Sequence, residues 1–550
     1  MTPIRYQDST VDDFEAIFPR RRENIIRALD RGQTLDVLVI GGGVHGAVCA
    51  HLAAFNGLRV ALLERADYAG GASSHSSKIV YGGVPTTKLS DVLTGLVSLR
   101  GGEDLFDVAD HLAIPQSFLV PVWGAERWRG IKLRAGLWLR QHLLKDKRLH
   151  HRWRSRAECP DLRSRSTPLC GGFEFGDGMF NDTRLVIERI LAARQEGALC
   201  LNYAEVVSLN QHFDGCVNVG WRDHHSGASH ELRAGVVINC AGQWVPNVGR
   251  LTAGPLASRV AFARSSHLLF DKPWTGPALC LPLAGTSRVY FVCPHFAGTL
   301  VGTAESLIEG AIADPQPTPA EIEEILEHLK RDLPEAGLDH TSLHYCFCGI
   351  RTLALPQSPR QKISPSVFRR AQWHFSGGVL SLVGGEFAAA TVTAYAGFQE
   401  IARLSKLDRE IVPLDGRKLP GAGISQTERD EFMDAARPKG VPELVLQCAL
   451  QRLGRRALKI AEDERGFELV GQAVLRGEVL LALRDEQAMT IEDLMCRRLD
   501  LEYLPGHGLD ALEQIAAIIE ADIPGAGAEK EQRAYCARVE AMKRLCAPTA

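Results

Sequence analysis

Between Asp36 and Glu64 the chain carries a strand, a glycine turn, a helix and a second strand that ends on an acid. Few folds accept that order. Val37-Leu38-Val39-Ile40 is a short run of β-branched and aliphatic residues, the composition of a parallel strand buried on both faces. Gly41-Gly42-Gly43-Val44-His45-Gly46 follows and sets out G-x-G-x-x-G on Gly41, Gly43 and Gly46. Ala47 to Asn56 is rich in Ala and Leu, which predicts a helix that Gly57 ends. Arg59 to Leu63 reads as the second strand, and Glu64 lies 18 residues beyond Gly46. In such a unit the first glycine permits the tight turn and the second lets the backbone approach a pyrophosphate. The third lets helix and strand pack closely. The helix N-terminus offers unpaired N–H groups and partial positive charge to phosphates. Glu64 is placed to accept hydrogen bonds from ribose hydroxyls, and its charge would repel a 2′-phosphate, which argues against NADP.

The next segment separates FAD from NAD. Tyr68-Ala69-Gly70-Gly71-Ala72-Ser73-Ser74-His75-Ser76-Ser77-Lys78 precedes Ile79-Val80-Tyr81-Gly82-Gly83. Small and hydroxylated residues let a chain run close along an extended cofactor and bond to it, whereas a nicotinamide domain usually proceeds straight to its next helix. Gly235 to Asn239 reads as a further buried strand that opens into Ala241-Gly242. Val379 to Val383 reads as another, followed by Gly384-Gly385 and a helix start, a positive end suited to charge on a reduced flavin ring. The candidate contacts of a non-covalently bound FAD are Gly41, Gly43, Gly46, Glu64, Ser73, Ser74, Ser76, Ser77, Lys78, Gly82, Gly83, Val207, Ala241, Gly242, Gly384, Gly385 and Phe387.

Together these motifs resemble the FAD-dependent glycerol-3-phosphate dehydrogenase family, within the D-amino-acid-oxidase-like flavoproteins. Gly172 to Val186 resembles the segment that opens that family's second half, and Arg264-Ser265-Ser266-His267 resembles its Lys/Arg-Gly-Ser-His element. Arg288 to Pro294 with Gly302-Thr303-Ala304-Glu305 is similar to its strand pair ending in Gly-Thr-Thr-Asp. Cys348-Gly349-Ile350-Arg351-Thr352-Leu353 resembles Ser-Gly-Val-Arg-Pro-Leu, and Arg476 to Arg498 resembles its C-terminal helical cap. The resemblance spans roughly residues 34 to 545. It implies an α/β fold: an FAD-binding Rossmann-like domain of the glutathione-reductase type, an antiparallel-sheet substrate domain and a C-terminal helical domain. The expected division is an N-terminal extension over 1–33, an FAD domain over 34–415 and a helical cap over 424–550. The substrate part is interleaved in the FAD domain at roughly 95–180 and 250–350.

The chain departs from the family where the substrate sits. The family's Ser-Ser-Lys-Leu-Ile-His-Gly-Gly-Leu-Arg-Tyr-Leu becomes Ser76-Ser77-Lys78-Ile79-Val80-Tyr81-Gly82-Gly83-Val84-Pro85-Thr86-Thr87, so an arginine that resembles a phosphate clamp is Pro85. Its Gly-Gly-Lys-Leu-Thr-Thr becomes Gly384-Gly385-Glu386-Phe387-Ala388-Ala389, an acid for a lysine. Glu386 would repel a phosphate dianion in a pocket of low dielectric, and it favours a substrate with an amine or with hydroxyl donors. Lys88 lies three residues past Pro85 and could compensate. The resemblance makes His267, Arg351, Glu386 and Tyr81 the candidate catalytic residues. His267 would take the substrate hydroxyl proton as hydride leaves for flavin N5, a task that an ordinary histidine pKa of about 6.5 suits; it is otherwise a core histidine. Arg351 would hold a carboxylate or phosphate, or else form a structural ion pair. Tyr81 packs on the flavin or fills the core.

Three function readings stay open: oxidation of a changed small hydroxylated or amine-bearing substrate, glycerol-3-phosphate dehydrogenation itself, and flavin binding without catalysis. Quinone or oxygen is the expected electron acceptor, and a homodimer stays open. The 550 residues call for two or three domains. A formal net charge of -3 gives no case for nucleic acid. No metal spacing stands out, and the 14 scattered cysteines read as buried reduced thiols of a cytosolic protein. No apolar run is long enough to span a bilayer, and no secretory signal is recognised, so the expected location is cytoplasmic. Residues 127–156 hold eleven Lys or Arg against Asp146 alone, interleaved with Trp and Leu. They read either as a helical hairpin on an anionic membrane surface at the inner face of the membrane or as a solvated basic face. Thr318-Pro319-Ala320-Glu321 announces a capped helix to Leu333.

Overall fold

The structure is a computed structural model, and it describes residues 22–80, 105–124, 127–144, 150–160, 162–163, 167–252, 260–283, 288–310, 314–355, 371–404, 407, 409–523 and 527–548. Over 127–129 and 139–144 only the backbone is described. Tyr81, Gly82, Gly83, Pro85, Thr86 and Lys88 lie outside the described residues.

One eight-stranded sheet has the parallel core that the glycine turn requires. Leu35–Ile40 runs parallel to Val60–Leu63 on one side and to Ser229–Asn239 on the other. Val379–Val383 is parallel to Ser229–Asn239, and Leu199–Leu201 extends the sheet beyond Val60–Leu63. Val37, Leu38 and Val39 are wholly buried. Helices Val44–Phe55, Asp182–Gln195 and Ala390–Arg403 cover one face. The other face meets an antiparallel ribbon, Ala204–Gln211 with Val217–Asp223, and the helix Arg22–Asp30. Because the core strands are parallel, their ends gather at one edge, where Gly41–Gly43, Glu64, Ala241–Gly242 and Gly384–Gly385 lie together. Within the segment expected to be an extension, Ile25 and Leu29 are buried core, and Arg22 pairs with Asp223.

A second eight-stranded sheet draws its strands from two stretches of sequence. Its order is Leu343–Ala354, Val260–Phe270, Gly298–Ile308, Val289–His295, Ala278–Pro282, Ala113–Trp123, Leu169–Phe180 and His151–Ser155. Helix Pro319–Asp332 backs this sheet: Arg264, Ser266 and Ser306 all bond the carboxylate of Glu321, at 2.9, 2.9 and 2.6 Å. Thr318 caps this helix in a capping box with Glu321, as its sequence announces.

The expected hairpin over 127–156 is instead one helix, Arg127–Leu144, followed by the edge strand His151–Ser155. Leu133 and Leu137 bury one side of the helix, and the edge strand puts Arg152 and Arg154 on Glu174 of the neighbouring strand. Burial would raise the Glu174 carboxyl, but the two guanidiniums override it and hold it at about 2. All fourteen cysteines are free; nine are buried, and Cys170 and Cys536 are exposed.

From Gln426 onward the chain is mainly helical. Fully buried ion pairs join it to the dinucleotide fold: Arg184–Glu486 at 2.7 Å, Arg456–Glu188 at 2.9 Å and Arg498–Asp67 at 2.8 Å. Asp67 follows Glu64 by three residues, so this contact reaches the edge where the glycine turns lie.

Candidate functional site

The glycine turn has the close contacts its residues imply. Gly41 adopts φ +106°, and a Cβ there would lie 2.7 Å from the Cys240 carbonyl oxygen. A Cβ on Gly46 would lie 1.9 Å from the Gly41 carbonyl oxygen, so only glycine lets helix Val44–Phe55 sit this close to its strand. Gly43 is the N-cap residue of that helix, and the Val44 N–H donates to Ser73 Oγ at 3.0 Å. Glu64 accepts from the Gly42 N–H at 2.6 Å and from the Ala66 N–H at 2.9 Å. Burial raises its carboxyl, and those two N–H groups pull the other way. His45 stands on the first helical turn against the second glycine turn: a Cβ on Gly385 would lie 2.6 Å from His45 Nε2. That nitrogen is buried and has no hydrogen-bond partner among the described residues, and burial pushes the imidazole down to about 4.

The serine-rich loop is held from behind. Asp182, fully buried at the start of helix Asp182–Gln195, accepts from the Ser76 N–H at 3.0 Å, the Ser76 hydroxyl at 2.7 Å and Lys78 Nζ at 2.5 Å. Ser74 Oγ contacts His75 Nδ1 at 2.9 Å and donates to the Gly71 carbonyl at 3.2 Å. Lys78 Nζ also lies 5.1 Å from the ring centre of Tyr503, which the C-terminal helical part contributes. The Ser74, Ser76 and Lys78 side chains are thus committed to protein partners. Ser77 reaches across to the second sheet, where its hydroxyl shares a 2.9 Å hydrogen bond with His267 Nε2.

On strand Val260–Phe270 the side chains alternate. Arg264 and Ser266 turn to Glu321; Ala263, Ser265 and His267 turn to the opposite face. That face meets the serine-rich loop: a Cβ on Gly349, opposite Ser265, would lie 2.9 Å from the His75 carbonyl oxygen. His267 is buried, stacked at 4.8 Å on Phe347, and has room only because its cross-strand neighbour is Gly302, where a Cβ would lie 2.5 Å from the ring. The sequence expectation of an ordinary imidazole fails here. Burial, reinforced by Lys78 and Arg351, pushes His267 down to about 3, so it is neutral at neutral pH. Arg351 stands opposite Ala263 and pairs with Glu305, whose other oxygen lies 3.6 Å from Arg288. Two guanidiniums thus share one carboxylate there.

Glu386 is half-buried after the second glycine turn, and no hydrogen bond or ion pair holds its side chain among the described residues. Phe387 packs on Phe180 at 4.9 Å. Gly242 adopts φ +54°, and the Ala241 N–H donates to Asn239 Oδ1 at 3.3 Å. Val207 points outward, 41% exposed, beside the buried Val206 at a bulge in the ribbon. Nothing local in the sequence marks Asp182, Glu305 or Tyr503 as functional, although the first two sit inside recognisable motifs. Tyr503 reaches the site by tertiary packing alone.

A parallel sheet whose glycine turns converge on one edge, facing an antiparallel sheet that carries His267 and Arg351, defines a dinucleotide-cofactor oxidoreductase. The cradle fits FAD by its own geometry: glycines 41 and 46 stand where no side chain has room, a carboxylate closes the next strand, and the buried Nε2 of His45 has no partner among the described residues. Residues 36–394 match the FAD dependent oxidoreductase family DAO, and the chain belongs to it. Residues 414–524 match the C-terminal domain of alpha-glycerophosphate oxidase. D-erythritol 1-phosphate dehydrogenase of Brucella abortus is 29% identical over 492 residues, covering 85% of this chain and 94% of that protein. Glycerol-3-phosphate dehydrogenase 2 of Mycobacterium tuberculosis is 29% identical over 552 residues, covering 96% and 91%. Among solved structures, the glycerol-3-phosphate dehydrogenase of Bacillus halodurans complexed with FAD shares the fold, with TM-score 0.71 at 20% identity over 96% of this chain and 97% of that one. The cofactor is FAD.

Proposed function

We propose that the protein oxidises a carbinol of a small anionic polyhydroxy compound, and that this compound is not glycerol 3-phosphate. The observation that carries this reading is the shared face of the second sheet, where neutral His267 and the Arg351 and Arg288 guanidiniums, joined through Glu305, look toward the serine-rich loop. In this reading Gly41, Gly43, Gly46 and Glu64 hold the adenosine and pyrophosphate, and Ser73, Gly384 and Gly385 line the rest. The backbone of Ser74 to Lys78 faces the cofactor while the Ser76 and Lys78 side chains lock the loop to Asp182. Bound FAD supplies the hydride acceptor at N5. His267 accepts the proton of the reacting hydroxyl, Ser77 fixes the ring through Nε2, and Arg351 with Arg288 holds the anionic end. Glu386, without a protein partner among the described residues, accepts from a substrate hydroxyl. The same reading makes 34–415 the catalytic unit, with its substrate part in the second sheet, and 424–550 a cap.

The kinship with an erythritol phosphate dehydrogenase, together with Pro85 and Glu386, favours a longer polyol over glycerol 3-phosphate. Anaerobic mixing with glycerol 3-phosphate, D-erythritol 1-phosphate, D-erythronate and simple amines tests this. One of the four-carbon hydroxylated anions should bleach the flavin at least tenfold faster than glycerol 3-phosphate. Fastest bleaching by glycerol 3-phosphate would restore the family substrate, and flavin reduced by dithionite alone would favour the non-catalytic reading.

For the electron acceptor we propose quinone at a membrane surface, with oxygen as the alternative, and hence a location at the cytoplasmic face. No helix among the described residues is long and apolar enough to cross a membrane. On helix Arg127–Leu144, however, Ile131, Arg134, Ala135 and Trp138 form one outward stripe, with Ile131 59% and Trp138 53% exposed. Apolar anchors among basic residues suit an anionic interface. Vesicles rich in phosphatidylglycerol should carry the protein on flotation, and Ile131→Glu with Trp138→Glu should release it; equal flotation of both proteins would refute the contact.

A further inference from the structure

Where the resembled family places glycine before its Ser-His pair, this chain has Ser265. Its side chain lies on the same face of the sheet as His267 and two residues away, roughly 7 Å along the strand. It is opposite Gly349 on one neighbour and Glu305 on the other. Arg351, opposite Ala263, is about as far on the other side, so Ser265 stands midway between the two groups assigned to the substrate's ends. Only 6% of Ser265 is exposed, and its Oγ has no hydrogen-bond partner among the described residues. His267 Nδ1, on the same face, is in the same condition. A buried hydroxyl without a partner is destabilising, and alanine or glycine would avoid that cost. Two such buried atoms on one face mark the place of a guest that bonds to both.

We infer that Ser265 is a substrate-reading residue: its hydroxyl bonds a carbinol lying between the reacting carbon at His267 and the anionic end at Arg351. The inference rests on the proposed function and narrows it to anionic polyols with one carbinol more than a three-carbon substrate offers. A site built around a hydroxyl rejects an analogue that lacks it, because the protein group is then left unpaired. A glycine in the same place offers no such discrimination.

The experiment compares wild type with Ser265→Ala and Ser265→Gly in anaerobic flavin reduction, on D-erythritol 1-phosphate against glycerol 3-phosphate and D-erythronate against glycerate. Flavin content and dithionite reduction establish that each variant is folded and loaded. The wild-type preference for the four-carbon member should fall at least tenfold in both variants, through loss on that member with little change on its three-carbon partner. An unchanged preference, or an equal loss on both members of a pair, overturns the inference alone; the equal loss would mean that Ser265 acts on His267 through a bound water. Failure of all four compounds to reduce wild-type flavin overturns the proposed function and this inference with it.

Discussion

Gly46→Ala should yield a protein that carries no flavin. The new Cβ would lie 1.9 Å from the Gly41 carbonyl oxygen and 3.0 Å from its carbon, and both are backbone atoms of the turn itself. No side-chain rotation relieves that contact, so the helix must lift off strand Leu35–Ile40 by more than an ångström. Gly41 cannot yield, because its own positive φ and its approach to the Cys240 carbonyl fix the turn from the other side. Once the helix lifts, its first N–H groups no longer converge where the proposed reading seats the pyrophosphate. Overpacking of this kind costs about 1–3 kcal/mol or more. Binding is hit harder than folding because the clash lies at the binding turn. Gly43→Ala is the control: Gly43 has a φ of -79° that any residue adopts, and its added Cβ would meet only Ser73 Oγ at 3.1 Å. That variant should fold normally and hold FAD more weakly. The ratio of visible to ultraviolet absorbance in the purified proteins reads both outcomes, and a full flavin complement in Gly46→Ala would contradict this account of the turn.

His267→Asn should keep its flavin and lose between about a hundredfold and ten-thousandfold in the rate of flavin reduction by substrate, the range usual for a removed general base. The depressed pKa adds a second readout. A histidine whose folded pKa is about 3, below its ordinary value of about 6.5, stays neutral until the pH nears 3. The wild-type reduction rate should therefore show no inflection near pH 6.5 that vanishes in His267→Asn. Ser77→Ala, which removes the hydroxyl held against Nε2, should cost less, about tenfold, and restore mobility to the ring. A His267→Asn enzyme within threefold of wild type would return His267 to the status of a core histidine stacked on Phe347.

The dinucleotide half of the fold was legible because its signals are local. Strand, turn, helix and terminal acid follow one another within about thirty residues, and each glycine has a steric reason readable from its place in the motif. The helix from Pro319 was legible for the same reason, through its capping box. Long-range partners were not legible. Glu305 reaches Arg351 across 46 residues and makes it an ion pair as well as a candidate clamp. The position of Lys78 after the serines points to the cofactor, but its ammonium is claimed by Asp182, more than a hundred residues away. The basic stretch favours a hairpin or a solvated face from its sequence because a helical pattern and an edge strand look alike in a run of alternating charged and apolar residues. Pairing of His151–Ser155 with Leu169–Phe180 decided it. The burial that depresses His267 is likewise a property of the packed sheet and loop, absent from any local string.

The most direct test of the central claim is single-turnover reduction of the bound flavin, followed by its visible absorbance under anaerobic conditions after mixing with D-erythritol 1-phosphate and, in parallel, D-erythronate. At least one of them should bleach the flavin in a single phase, faster than glycerol 3-phosphate does, with the polyol oxidised at one carbinol and the flavin re-oxidised by an added quinone. A flavin that stays yellow with both compounds and bleaches fully with dithionite would contradict it.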